Sequence, residues 1–241
     1  MAAMERLIAG ARELGLTLSP EQVEGFRLYR RELVEWNERA NLTAIVDCAE
    51  VQTRHFLDSL SVLLSVGQVR GRVLDVGAGA GFPGVPLKMV YPGIALYLVE
   101  SRRKKADFLR HLVRRLGLSG VDVVVGRAEE LAHDSAYRQT FDVVVSRAVA
   151  RLDTLAELAL PFCAVGGVFV AQKKGDIGGE VAEAETAIDS LGGRLREVRP
   201  VVLDELGGER YLVAIEKRAT TPLRYPRRPG IPQKRPLGAR S

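Results

Sequence analysis

The hydrophobic pattern of the chain changes character twice. Up to about residue 65, apolar positions recur at spacings of three and four. Leu7, Ala11 and Leu14 mark a short first helix, and Val23, Phe26, Tyr29, Leu33 and Trp36 form one stripe along a second, as expected of amphipathic helices. Ser19-Pro20-Glu21 starts that second helix with a capping hydroxyl and a proline at the first helical position. Asn37 to Thr43 interrupts the stripe, and a further helix is expected over about 50–64, with Leu57, Leu60 and Leu64 inward. From Arg72, short β-branched runs take over: Val73–Val76, Ala95–Val99, Val121–Val125, Phe141–Val145 and Gly167–Ala171. Amphipathic segments at about 83–91, 101–116, 152–162 and 177–191 separate or follow them. This alternation predicts an α/β fold, a mostly parallel sheet covered on both faces and preceded by a helical extension. Leu195–Leu203 and Arg210–Glu216 are joined by Asp204 to Gly208. That link is too short for a crossover, so an antiparallel hairpin is expected at the sheet edge.

Beyond Lys217 the pattern stops. Pro222, Pro226, Pro229, Pro232 and Pro236 crowd the last segment, where neither helix nor central strand is expected. The organisation read from the pattern is a helical extension over 1–65, an α/β domain over 66–217 and an extended basic tail over 218–241. No internal repeat is present.

Composition narrows the class. With 241 residues and 46% hydrophobic content, the chain can bury a core without disulfides or a structural metal. Cys48 and Cys163 make neither a disulfide framework nor a metal-ligand spacing, which fits a reducing compartment and no metal. Met1 opens a charged amphipathic stretch, and no apolar run approaches the ~18 residues of a membrane helix. A cytoplasmic protein without a membrane partner is expected. The net charge of +5 is unevenly placed. Lys217, Arg218, Arg224, Arg227, Arg228, Lys234, Arg235 and Arg240 face one acid, Glu216, in the final segment, and the remainder carries slightly more acids than bases. A uniformly basic nucleic-acid domain is excluded, but a basic tail on a near-neutral body is not.

The most informative motif is Val73-Leu74-Asp75-Val76-Gly77-Ala78-Gly79-Ala80-Gly81-Phe82-Pro83-Gly84. A buried strand enters a glycine turn and a helix follows, a geometry that lets a ligand approach main-chain N–H groups. Gly79-x-Gly81-x-x-Gly84 matches a dinucleotide fingerprint. Asp75-x-Gly77-x-Gly79-x-Gly81 matches S-adenosylmethionine enzymes, and fits better. Asp75 can accept hydrogen bonds from a methionine ammonium, whereas a carboxylate beside a pyrophosphate is repulsive. Glu100 ends the next strand, where an acid accepts ribose hydroxyls in both cofactor classes. Gly126-Arg127-Ala128-Glu129-Glu130 is expected to close over the adenine, with Glu129 and Glu130 alternatively simple helix-start acids.

Cations recur at the carboxyl ends of the strands, where open sheets bind ligands: Lys104, Lys105, Arg147, Arg151, Lys173 and Lys174. Lys105 falls on the apolar face of its helix, near the N-terminus, where a cation is disfavoured by the dipole. Arg103, Arg110 and Arg114 lie opposite, as a solvated face. A basic mouth and a basic tail point to a polyanion, of which nucleic acid is the commonest.

With these residues in view the sequence resembles the glucose-inhibited division protein B family, bacterial methyltransferases of guanine N7 in small-subunit rRNA. The resemblance runs from about Phe26 to Leu237. It rests on Trp36-Asn37, Asn41-Leu42-Thr43, Arg54-His55-x-x-Asp58-Ser59, the glycine motif through Phe82-Pro83-Gly84, and Glu100-Ser101-x-x-Lys104-Lys105-x-x-Phe108-Leu109. Arg127-Ala128-Glu129, Ser146-Arg147-Ala148, Lys173-Lys174-Gly175 and Arg228-x-x-Gly230-x-Pro232-x-Lys234-x-Pro236-Leu237 complete it. It implies a class I S-adenosylmethionine-dependent methyltransferase (Rossmann-like) fold. It implies cofactor contacts from Gly77, Phe82, Ala128, Glu129 and Arg147, and substrate-side roles for Asn41, His55, Asp58, Lys104, Lys105 and Lys173. The partner implied is 16S rRNA, the small ribosomal subunit or its assembly intermediate, with a monomer as the default state.

The chemistry agrees. Guanine N7 keeps a free lone pair at neutral pH and can attack a sulfonium methyl without losing a proton. No general base is needed, and no catalytic dyad is legible; Arg147 and Asp58 are the catalytic candidates, Asp58 as an electrostatic aid to the cationic product. His111 and His133 read as structural, and His55 as a group that orients the Asn41 loop or pairs with Asp58. Competing readings are an NAD-dependent oxidoreductase, a non-catalytic RNA-binding protein and a small-molecule methyltransferase. The tail, through Arg228 and Lys234, is expected to add RNA affinity while leaving donor affinity unchanged; a strap across the domain is the alternative.

Overall fold

The computed structural model describes residues 4–238, so Arg240 of the basic tail lies outside them. Helix α1 covers Glu5–Glu13 and α2 Pro20–Ala40. The Ser19 hydroxyl accepts from the Gln22 N–H while the Gln22 side chain accepts from Ser19 N, a capping box with Pro20 behind it. The expected helix over 50–64 is broken into turns. Short α3 (Cys48–Glu50) runs into a π-helical stretch, Val51–Leu57, then α4 (Asp58–Leu60) and α5 (Leu63–Val66). Apolar periodicity cannot distinguish an i→i+5 turn from an α-helix, and such turns concentrate at functional sites.

Strands β1 (Arg72–Val76), β2 (Ala95–Glu100), β3 (Val121–Val125), β4 (Phe141–Arg147), β5 (Cys163–Lys174), β6 (Gly193–Pro200) and β7 (Arg210–Lys217) form one sheet. Its order is β3-β2-β1-β4-β5-β7-β6. The first five are parallel, and β7 is antiparallel to both β5 and β6, as the short Asp204–Gly208 link requires. Between them lie α6 (Gly84–Val90), α7 (Arg103–Arg115), α8 (Ala128–Leu131), α9 (Leu152–Ala159) and α10 (Gly178–Ser190).

Side chains alternate across each strand, so the sheet has two cores. Val73 joins Phe26, Tyr29, Leu33, Phe56, Leu98 and Phe108 on one face, and Leu74 joins Phe141, Phe162, Phe169, Ile188 and Ile215 on the other. The helical extension thus shares the first core with the sheet. Glu32 on α2 is buried and receives His111 Nε2 at 2.7 Å and Arg115 Nε at 2.8 Å from α7, which gives His111 a structural task. No helix among the described residues is long and apolar enough to cross a membrane.

The tail takes the course of the strap alternative and departs from expectation only in forming a helix. It is packed on the domain, and Ile231–Lys234 forms a four-residue helix, α11, despite Pro232. Pro232 occupies the first turn, where its missing N–H has no helical acceptor to lose. Arg138 donates to the carbonyls of Thr221, Pro222 and Tyr225, and the His133 ring bonds the Pro226 carbonyl. The proline count indicated that helix hydrogen bonds would be missing; it could not indicate that side chains from elsewhere would satisfy these carbonyls instead.

Candidate active site

Everything expected at the ligand edge is organised by the turn after β1. Gly77 (φ 73°), Gly79 (φ 59°) and Gly81 (φ 96°) are all left-handed. A Cβ on Gly81 would lie 2.6 Å from the Tyr29 hydroxyl, and one on Gly77 2.7 Å from Val149, so both positions demand glycine. At Gly79 the nearest atom would be 3.8 Å away, leaving open space above the turn. Tyr29 donates to the Ala80 carbonyl at 2.6 Å, so α2 props the turn from below.

Asp75 does not do what the motif led us to expect. It is fully buried, its Oδ2 accepts the Gly84 N–H at 2.8 Å, and its Oδ1 has no partner. Burial pushes the carboxyl up to about 7, against the pull of the Gly84 N–H and Arg147. The residue braces β1 against the start of α6 and presents no ligand-facing surface. Glu100 is closer to its expected place. It accepts the Gly79 N–H at 3.0 Å and the Arg102 N–H at 2.8 Å, so it holds the turn at the end of β2.

Beside the turn a cleft opens across the carboxyl ends of β1 to β4. Its apolar walls come from Val76, Val99, Ala128, Val149 and Leu158. Polar lining comes from Gly77, Ser101, Gly126, Arg127, Glu129, Thr154 and Gln233. Glu129 accepts from Arg127 Nη2 at 3.1 Å and from Gly230 N at 3.0 Å. Burial raises its pKa, but these donors and its own N–H outweigh that and hold the carboxyl below the usual range. Apolar walls, exposed main-chain polar groups and acids suit a flat, hydroxylated, cationic ligand. They suit a pyrophosphate poorly, with the Glu129 carboxylate in the lining and Glu100 behind the turn. The residues present therefore fit S-adenosylmethionine better than a dinucleotide.

A second cluster flanks Phe82. Arg147, at the end of β4, donates from Nη1 to Asp58 Oδ2 and the Arg54 carbonyl, both at 3.0 Å, and from Nη2 to His55 Nδ1 at 3.2 Å. Its guanidinium lies 4.8 Å from the Phe82 ring centre. His55 and Tyr29 both stack on Phe82, at 4.5 and 5.2 Å between centroids. The π-helical stretch supplies Arg54 and His55, and Asp58 follows at once. Ser146 Oγ donates to the Val76 carbonyl at 2.9 Å, tying β4 to β1, and Ala148 sits at φ 55°. A non-glycine residue there stores strain, a recurrent feature of functional sites. Arg210, not singled out by sequence, brings Nε to 3.3 Å from Asp58 Oδ1 without hydrogen-bond alignment. Asp58 is thus committed to two arginines and buried between them.

The His55 tautomer follows from its neighbours. Arginine has only donors, so Nδ1 accepts, and Nε2–H points to Thr43 Oγ1 at 2.8 Å. That bond holds the loop after α2, where exposed Asn41 takes φ 47°. Burial, Arg147 and Lys174 together push the His55 pKa down to about 3. The folded value lies below the unfolded one near 6.5, so the neutral ring's contribution is complete above pH 6.5. It is lost as pH falls from there toward 3. Asp75, raised, acts in the opposite sense as pH rises from about 4 to 7. Melting temperatures of His55→Gln should therefore fall less steeply than wild type between pH 6.5 and 4; parallel curves would contradict the assignment.

Few cations of the expected basic ring are free. Lys173 pairs with Glu180 at 2.6 Å and donates to the Ala150 carbonyl at 3.0 Å, and Arg151 pairs with Asp153 and Glu183. Both are corrections: helix acids from α9 and α10 neutralise them. Lys104 is exposed and Lys105 half-buried on α7; Arg228 and Lys234 are exposed on the tail. Lys174 is exposed and stands directly across the β5–β7 ladder from Arg210. Like charges in that relation are destabilising, and partial desolvation with Arg210, Arg147 and Arg54 outweighs Asp58 and lowers the Lys174 pKa. Arg147, Lys174 and Arg210 gather around Asp58, a net-positive patch at the mouth, with Arg54 beside it paired to Glu50. Strand pairing creates it, which is why it was only half visible in sequence.

A glycine turn after β1, an acid closing β2, a cation-compatible cleft and a sheet ending in an antiparallel hairpin define a class I, Rossmann-like, S-adenosylmethionine-dependent methyltransferase. The fold is similar to a solved SAM dependent methyltransferase from Aquifex aeolicus, with a TM-score of 0.52 and 21% identity over 70% of this chain and 93% of that one. Residues 22–205 match the family described as rRNA small subunit methyltransferase G, GidB. A ribosomal RNA small subunit methyltransferase G of Dehalococcoides mccartyi (strain CBDB1) is 50% identical over 97% of this chain and all of its own length. One from Roseiflexus sp. (strain RS-1) is 48% identical with the same coverage. The chain belongs to the rRNA small subunit methyltransferase G family, the family its motifs resembled.

Proposed function

We propose that the protein transfers a methyl group from S-adenosylmethionine to N7 of a guanine in 16S rRNA, presented as naked RNA, small subunit or assembly intermediate. The observation that carries this reading is the adjacency of two unlike sites. One is an acid-bearing cleft suited to a cationic donor; the other is a net-positive mouth around Phe82 and Arg147 suited to a phosphate-bearing acceptor. When bound, the donor supplies an electrophilic methyl on a sulfonium. The chain's residues hold the two reactants in line, and alignment of this kind contributes several kcal/mol. Glu100 and Glu129 carry the donor side, with Gly77, Gly79 and Gly81 keeping the turn clear; Ala128 lines the same cleft. Phe82, fixed between rings, and Arg147, fixed by Asp58 and His55, are expected from the motifs on the donor side, but neither lines the cleft. Both are assigned here to the acceptor side, as the floor where the base would lie.

No described group at the mouth is poised as a base near neutral pH. Asp75, whose carboxyl is pushed up to about 7, is buried behind the turn and bonded to the Gly84 N–H, so it takes no part at the mouth. His55 is neutral with both nitrogens engaged, and Asp58 is held by two arginines. Guanine N7 attacks with its own lone pair, so the reaction asks for none, and no metal has a step to perform. Asp58 is accordingly a positioning residue, and its expected contact with the methylated base is replaced by a contact through Arg147. Asn41, Lys104, Lys105, Arg228 and Lys234 are assigned to the RNA side. Both sites come from one chain, which supports a monomer as the working unit, and ribosomal RNA as the substrate supports a cytoplasmic location.

The test is incorporation of label from methyl-labelled donor. Counts appearing with 16S rRNA or small subunits, and absent without RNA, are expected; NADH binding without donor binding would sink the reading. Within it, Lys174→Ala should weaken RNA binding and reduce the slope of log affinity against log salt by about 1, at unchanged donor affinity. An unchanged slope would remove Lys174 from the RNA contacts.

A further inference from the structure

The tail meets the donor cleft in a way the charge pattern did not disclose. Glu157 on α9 is wholly buried and is met by Arg227, whose backbone N, Nε and Nη2 donate to it at 2.6 to 3.1 Å. A buried ion pair is tolerated only when its bonds are complete, and this one is. One turn earlier on α9, Thr154 Oγ1 donates to the Pro232 carbonyl at 3.2 Å. Between these anchors Gly230, at φ 80°, gives its N–H to Glu129. Pro232 and Gln233 then form part of the cleft lining, together with Thr154 and Glu129.

We propose that residues 227–234 are part of the methyl-donor site. Gly230 fixes the Glu129 carboxylate, and Gln233 supplies a polar side chain to the cleft wall. Arg227 and Glu157 form the latch that seats the segment. Donor binding and tail docking then stabilise each other, by the same factor in each direction. This inference rests on the reading of the cleft as the donor site. It replaces the expectation that the tail could be removed without cost to donor affinity. It also sets exposed Arg228 and Lys234 at the rim of the donor cleft, so RNA engaging them bears on the segment that holds the donor.

The experiment begins with calorimetric binding of S-adenosylmethionine to the full chain; no binding there defeats the donor reading itself. A chain ending at Arg228 keeps the latch and lacks Gly230, Pro232 and Gln233. Its donor affinity should fall at least tenfold, and that of full-length Gln233→Ala a few-fold, with far-ultraviolet circular dichroism unchanged. In the full-length protein, saturating donor should slow tryptic cleavage after Arg224 and Lys234 several-fold. The protection measurement decides the matter even if the shortened chain folds poorly. Donor affinity within twofold of wild type in a folded shortened chain, or tail cleavage indifferent to donor, would overturn the proposal.

Discussion

Replacing Arg147 by alanine is expected to lower methyl transfer by about 10²–10³-fold, the size seen when one preorganised donor is removed from a reaction centre. Arg147 is only slightly exposed, with an 11% accessible side chain. It fans its two terminal nitrogens over Asp58, the Arg54 carbonyl and His55 while covering Phe82. The loss should appear in turnover at saturating donor more than in donor affinity, because the guanidinium stands on the Phe82 side of the turn and is not part of the cleft lining. Arg147→Lys should recover little, since a point ammonium cannot reproduce the fork. Single-turnover rates with saturating donor and RNA check this. A variant with wild-type single-turnover rate would show that Arg147 is only structural.

The second large effect concerns stability. Asp58→Ala strips the buried acid from between Arg147 and Arg210 and leaves their charges unopposed. Breaking a buried pair in this way costs about 3–5 kcal/mol. Gln172 donates to the Asp58 carbonyl, so the backbone there stays anchored and relaxes little. Urea unfolding of Asp58→Ala should show that loss, and adding Arg210→Met should recover part of it by removing one uncompensated cation. Asp58→Asn should be milder, and its turnover should fall in step with the disorder of Arg147. Full turnover in Asp58→Asn would mean that Arg147 does not depend on the charge of Asp58. A double variant no more stable than Asp58→Ala would mean that Arg210 is not held by it.

Much of the fold was legible because it rests on local pattern. The stripe from Val23 to Trp36, the cap at Ser19 and the alternation of β-branched runs each state a periodicity that burial enforces. The hairpin followed from the length of one link. Residues whose roles depend on partners far along the chain were harder. Lys173 and Arg151 read as free cations because Glu180 and Glu183 lie on the following helix. Arg210 gave no signal, since only the β5–β7 pairing brings it opposite Lys174 and the helical extension brings it to Asp58. Asp75 was placed correctly at the strand end but turned the wrong way, because spacing does not reveal that Gly84 N–H would claim it. The tail was read by its charge and prolines, whereas its position is set by Glu157, Glu129 and Arg138, each at least 70 residues away.

In the proposed reaction this fold carries a methyl group from S-adenosylmethionine to guanine N7 of small-subunit RNA. The direct measurement is to incubate the full chain with methyl-labelled donor and unmodified 16S rRNA or small subunits, digest the RNA to nucleosides and separate them. Label is expected in 7-methylguanosine, and far less of it with Arg147→Ala. Label in another nucleoside, in protein alone, or in none of the fractions despite bound donor would contradict the proposed reaction.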